Sequence, residues 1–169
     1  MISPNEIATL WHKYADGLGL LIRARCAADA DDVVQEAYMR LARQPSLPDD
    51  PSAWLARTAR NLAIDLSRQA KRRRKREEEY SETQVTWVEP EVTLGVSAEE
   101  VTQALRQLTC EEHEILVAHI WNGMSFRQIG ETFELSSSTA NRRYLQALHK
   151  LRCELDASAE RQRSGCRAK

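Results

Sequence analysis

Cysteine is scarce and scattered. Its four copies, Cys26, Cys110, Cys153 and Cys166, form no C-x-x-C pair. That excludes the common zinc spacing and a disulfide framework, and it points to reduced thiols in a cytoplasmic protein. Glycine (6) and proline (5) are few, so no glycine-rich phosphate loop can be drawn. There is no nucleophile–base constellation either, and the chain reads as a non-enzyme with no cofactor and no metal. No apolar run approaches about 18 residues. The N-terminus lacks a basic-then-apolar leader. No membrane insertion is expected.

What is present is charge, and it is segregated. The formal net charge is only −1, which taken alone argues against a nucleic-acid partner. Yet residues 57–76 hold nine Lys/Arg against Asp65 alone. Residues 77–100 hold eight Glu and no Lys or Arg. A phosphate backbone responds to a local basic surface, not to the average.

Helical punctuation is frequent. Ser3/Glu6, Ser97/Glu100, Thr109/Glu112 and Ser125/Gln128 each read as a capping box, which satisfies two orphan backbone donors at a helix start. Pro4 suits the first helical position. Ile7, Leu10, Trp11, Tyr14, Leu18 and Leu21 make one apolar stripe, with Gly17 and Gly19 as weak points. A second helix is predicted over 29–43, burying Val34, Ala37, Tyr38 and Leu41. The Pro45–Pro51 stretch breaks the chain, and a third helix follows from Ser52, burying Leu55, Ala59, Leu62 and Leu66. Helices are also predicted over 97–108, 109–122, 125–133 and 136–156. No strand signal survives. The expected fold is all-α: a helical domain over 1–76, a flexible acidic linker over 77–96, a second helical domain over 97–156, and a frayed polar tail over 157–169.

The stretch Met124–Leu155 reads as a helix-turn-helix. Ile129, Phe133 and Leu135 anchor its first helix and turn, and Gly130 is small enough for a close crossing. Ser136 can cap the second helix. Ala140, Tyr144, Leu148 and Leu151 share one face, while Asn141, Arg142 and Arg143 share another. Asn pairs with adenine and Arg with guanine in the major groove. Hydroxyls such as Ser138 and Thr139 at a helix start suit phosphate. A plain helical bundle with a solvated Arg face is the bland alternative.

Two upstream helices carry the rest. In DADDVVQEAYMRLA, Asp32, Gln35, Glu36 and Met39 lie opposite Val34 and Leu41. Acids in a first turn favour the helix dipole, and Glu36/Arg40 can form an i,i+4 pair. The same face also suits a basic protein partner. Crowding on one helix, without a distant carboxylate or His, disfavours a metal-dependent nuclease. In SAWLARTARNLAIDLSRQAKRRRKR, Arg57, Arg60, Asn61 and Arg68 point away from the Leu55/Leu62 core. Trp54 can stack on an unpaired base, but as a helix-start residue it reads first as packed in the core.

Together these strings resemble bacterial sigma factors of the extracytoplasmic-function group. DADDVVQEAYMRLA resembles their second conserved region, AWLARTARNLAIDLSR the DNA-facing helix after it, and Met124–Leu155 their fourth region. The resemblance implies a promoter-specificity subunit that binds core RNA polymerase and promoter DNA. It implies polymerase docking through Asp31, Asp32, Gln35, Glu36, Met39 and Arg40. It implies opening and reading of the downstream (−10) element by Ser46, Leu47, Arg57, Arg60, Asn61 and Arg68. It assigns the upstream (−35) element to Ser136, Ser138, Thr139, Asn141, Arg142, Arg143 and Gln146. An anti-sigma factor is a common further partner in that group. Glu134 departs from the pattern, standing where many relatives have Gly. Ala140 and Asn141 depart too, so promoter specificity is not carried over. The competing reading is a free-standing helix-turn-helix regulator, which the acidic helix and long linker explain poorly.

Overall fold

The computed structural model describes residues 2–76 and 98–165. The acidic linker and Ser97 of the Ser97/Glu100 box lie outside the described residues, as does the end of the tail. Among the described residues there are helices and no strand. Helix α1 (Pro4–Cys26) leads through a short 3-10 turn (Ala27–Asp29) into α2 (Ala30–Ala42), and α3 (Pro51–Arg76) completes the N-terminal domain. The C-terminal domain comprises α4 (Ala98–Arg106), α5 (Cys110–Ile120), α6 (Phe126–Phe133) and α7 (Ser137–Gly165).

The helix starts follow the capping chemistry. Ser3, Thr109 and Ser125 each accept from the backbone N–H three residues on, and the Glu or Gln there answers the cap. Asp50 caps α3 by accepting from Ala53 N at 3.0 Å. Gly17 and Gly19 leave α1 unbroken. Helix α7 runs to Gly165, well past the predicted end at 156. That stretch, DASAERQRSG, is rich in the strong helix formers Ala, Glu, Gln and Arg, so polarity there does not mean fraying.

The N-terminal core comprises Leu18, Leu21, Ile22, Val34, Leu41, Leu55 and Ala59, all buried. Each fully buried Leu or Ile contributes about 1.5–3 kcal/mol. Tyr38 is buried with them, and its hydroxyl donates to Leu10 O at 2.8 Å. Trp11 departs from the expected stripe: it is 41% exposed and lies over the Tyr38 ring at 4.8 Å. Trp54 packs against the core. In the second domain Ile115, Met124, Ile129, Phe133 and Ala140 are buried. His119 joins three helices, stacking on Phe126 and meeting the edge of Tyr144, while its Nδ1 lies 2.8 Å from Met124 O.

Candidate nucleic-acid and polymerase interfaces

The turn between α6 and α7 is built by two residues. Gly130 sits where an added Cβ would lie 2.7 Å from Leu135 O and 3.3 Å from Ser137 N. Only a hydrogen atom fits that crossing. Glu134 ends α6 in the left-handed conformation, with φ 58° and ψ 43°. Its N–H and that of Leu135 both return to Gly130 O, the kind of closure that Gly usually supplies. Ser136 then caps α7, accepting from Thr139 N at 3.1 Å and engaging the Ser138 and Thr139 hydroxyls.

This geometry presents an exposed row on α7. Ser136, Ser138, Asn141, Arg142 and Gln146 are exposed, and Thr139 is half-buried. Arg143 is half-buried and ion-paired to Glu111 of α5. Ala140 and Ala147 face the interior. Farther along α7, Lys150 holds Glu112 at 2.6 Å. Burial alone would raise the Glu112 pKa, but hydrogen bonds from Lys150 and Thr109 outweigh it and hold the carboxyl below its ordinary range.

On α2, Asp31, Asp32, Gln35, Met39 and Arg40 are exposed along one face, with Glu36 half-buried beside them. Glu36 accepts from Arg40 Nε at 2.8 Å, and Arg23 lies 3.7 Å from Asp31. An apolar groove of about 520 Å³, lined by Ile7, Trp11 and Ala42 among others, adjoins the end of this helix. No cluster of His, Cys, Asp or Glu suited to a metal ion occurs among the described residues.

The downstream-element residues divide. Ser46, Arg57, Asn61 and Arg68 are exposed, and Leu47 packs partly against the core. Arg60 is not on the open surface, because its side chain is 14% exposed. It donates through Nε to Glu114 Oε2 at 3.2 Å and lies 4.4 Å over the Phe133 ring. Glu114 belongs to α5 of the other domain and is fully buried. Arg25 completes the pair of cations, reaching Glu114 Oε1 at 2.5 Å and Oε2 at 3.0 Å. The hydrogen bond to Glu114 raises the Arg25 pKa.

Two family models match the chain. Sigma-70 region 2 matches residues 10–73, and Sigma-70 region 4 matches residues 104–152. The ECF RNA polymerase sigma factor SigL of Mycobacterium tuberculosis is 31% identical over 134 residues, covering 76% of both chains. The chain belongs to the extracytoplasmic-function sigma factors. SigK of Mycobacterium ulcerans, another member, is 28% identical over 149 residues, covering 83% of this sigma factor and 80% of SigK. The fold of the sigma factor RpoE from Bartonella quintana, solved with the anti-sigma factor NepR, matches with a TM-score of 0.73 at 18% identity, covering 90% of this chain and 98% of RpoE. CnrH, solved with the cytosolic domain of CnrY, matches with a TM-score of 0.61 at 25% identity, covering 92% and 90%.

Sequence reasoning missed Arg25 and Glu114 in this sigma factor. The sequence signal was weak, because Glu114 follows Glu111, Glu112 and His113 and only borders the apolar run Ile115–Ala118. Among the described residues no helix is long and apolar enough to cross a membrane.

Proposed function

We propose that this sigma factor joins core RNA polymerase in the cytoplasm and directs promoter recognition, promoter opening and transcription initiation. The exposed α2 face, Asp31, Asp32, Gln35, Glu36, Met39 and Arg40, docks on polymerase. Ser46, Leu47, Arg57, Arg60, Asn61 and Arg68 engage the downstream element. The loop carrying Ser46 and Leu47 holds an extruded base, whose unstacking costs a few kcal/mol. The α7 row, Ser136 to Gln146, lies in the major groove of the upstream element. The working division is 1–76 for docking and the downstream element, 77–96 as linker, 97–156 for the upstream element, and 157–169 as tail.

What carries this reading is the coincidence of chemistry and family region. Each matched region bears an exposed polar face, on α2 in the first and on α7 in the second. Partner control fits as well. RpoE and CnrH were solved with NepR and CnrY, and an anti-sigma factor is the expected regulatory partner here.

Reconstitution with core RNA polymerase, followed by transcription from a genomic library, tests the reading. The expected result is a restricted set of new start sites sharing two spaced elements. Failure to join polymerase, together with unaided binding to an operator, would replace it with the free-standing regulator.

A further inference from the structure

Arg143 stands apart from the other residues assigned to the upstream element. Helix α7 packs through Ala140 and Ala147, both buried, while Asn141, Arg142 and Gln146 lie on its open side. Arg143 falls between these faces. Its side chain is 32% exposed, and its Nη1 is paired with Oε1 of Glu111. Lys150 projects within about 20° of Arg143 around the helix axis and lies two turns, about 10 Å, farther along it. It reaches Glu112 Oε1 at 2.6 Å. Both acids stand in the first turn of α5. Glu112 is anchored there, because its Oε2 accepts from Thr109 N at 2.9 Å and from Thr109 Oγ1 at 3.1 Å. Two adjacent carboxylates thus hold one flank of α7 at two points.

The other flank is held by rings. Tyr144 meets the edge of His119 at 4.7 Å and tilts against Phe126 at 5.4 Å. Between the flanks, Ala140 and Ala147 allow a close approach but offer no long side chain to interlock. A seat of that kind leaves a helix free to roll about its own axis, so the flanks set the roll. A pair as exposed as Arg143–Glu111 adds little to folding stability. What it supplies is geometry. Readout of a base needs its side chains held within about 0.5 Å. On a helix about 10–12 Å across, a roll of about 10° already shifts a side-chain tip by about 1 Å.

We propose that Arg143 is a positioning residue for the upstream element and not itself a DNA contact: paired with Glu111, it fixes the roll of α7 on α5 and so decides which bases Asn141, Arg142 and Gln146 meet. This rests on the reading of α7 as the helix that enters the upstream element. Arg143 must leave Glu111 to reach a base, and in doing so it would release the helix that its neighbours need held. Glu111, an acid that no DNA-binding reading would select, becomes a determinant of promoter choice.

Polymerase holoenzyme carrying the full chain tests this, on a promoter duplex that the wild-type holoenzyme selects from the genomic library. Glu111→Gln and Arg143→Gln each remove one charge of the pair. Competition binding compares the selected duplex with the same duplex changed at each upstream-element base. Each variant should lose about threefold to tenfold on the selected duplex and little on the changed ones, so that discrimination among bases flattens. The double variant should match either single one within about twofold, since both act through one contact. The exchanged pair, Glu111→Arg with Arg143→Glu, should recover at least about half of the lost discrimination. The salt dependence of binding should stay at its wild-type slope. A slope smaller by about one in Arg143→Gln would make Arg143 a phosphate contact and overturn the proposal. Wild-type discrimination in Glu111→Gln would also overturn it, as would an exchanged pair that recovers nothing. Tm should stay within about 4 °C of wild type, and a larger fall would make the pair a folding contact instead. A holoenzyme that selects no upstream element removes this inference together with the functional reading, whereas selection indifferent to Glu111 removes the inference alone.

Discussion

Substitution of Gly130 by Ala sets two effects of opposite sign against each other. Gly in a helix costs about 1 kcal/mol relative to Ala, so propensity alone predicts a more stable protein. The crossing predicts the reverse. The new methyl would meet Leu135 O at 2.7 Å and Ser137 N at 3.3 Å, and these are backbone atoms that cannot swing aside. Overpacking of this kind costs about 1–3 kcal/mol, and immovable obstructions place it in the upper part of that range. The net expectation is a loss of about 1–2 kcal/mol, which lowers Tm by roughly 2–8 °C in a chain of this size. Glu134→Gly, four residues on, carries the opposite sign. It releases the roughly 1–2 kcal/mol that an L-residue incurs in the left-handed conformation. Glycine's greater unfolded freedom offsets about half of that, leaving a gain of about 0.5–1 kcal/mol. Thermal and urea unfolding of both variants measure the pair. A Tm that rises in Gly130→Ala would refute the steric argument.

Charge reversal of Asp32 and Glu36 to Lys should abolish co-purification with core polymerase while leaving helical content intact; undiminished binding would remove the docking face. Arg142→Ala should cost about 1–3 kcal/mol on a cognate upstream element and little elsewhere if it reads a base. An equal loss on every duplex would assign it to phosphate. Burial pushes His113 down to about 4. Between pH 6.5 and 4 the unfolded chain therefore carries a proton there that the folded chain lacks. Stability falls as pH drops through that window, by up to about 1.4 kcal/mol per pH unit. Urea titrations at pH 6.5 and 5 should show this slope in wild type and a flatter one in His113→Gln; identical slopes would reject the assignment.

Local chemistry was legible in the residues. The boxes at Ser3, Thr109 and Ser125 start helices, Glu36 meets Arg40, and Ser136 caps α7. Each involves groups no more than four residues apart, so sequence spacing alone brings them together. Arg60 and Arg143 were harder, because their partners Glu114 and Glu111 lie 54 and 32 positions away in the sequence. Helical periodicity places both arginines on a polar face but cannot say what covers that face. Arg25, near the end of α1, reads simply as a complement to the helix dipole. Its role emerges only when α1 packs beside α5.

The enclosure of Glu114 makes ionic strength a lever that works from one side. Exposed contacts between cations and phosphates weaken steeply as salt rises. An ion cluster whose acid is sealed from solvent, with arginines only 22% and 14% exposed, feels little of that screening. A rise in salt therefore weakens contacts that exposed arginines such as Arg142 make with phosphate, while leaving the Arg25–Glu114–Arg60 contact between the two domains largely intact.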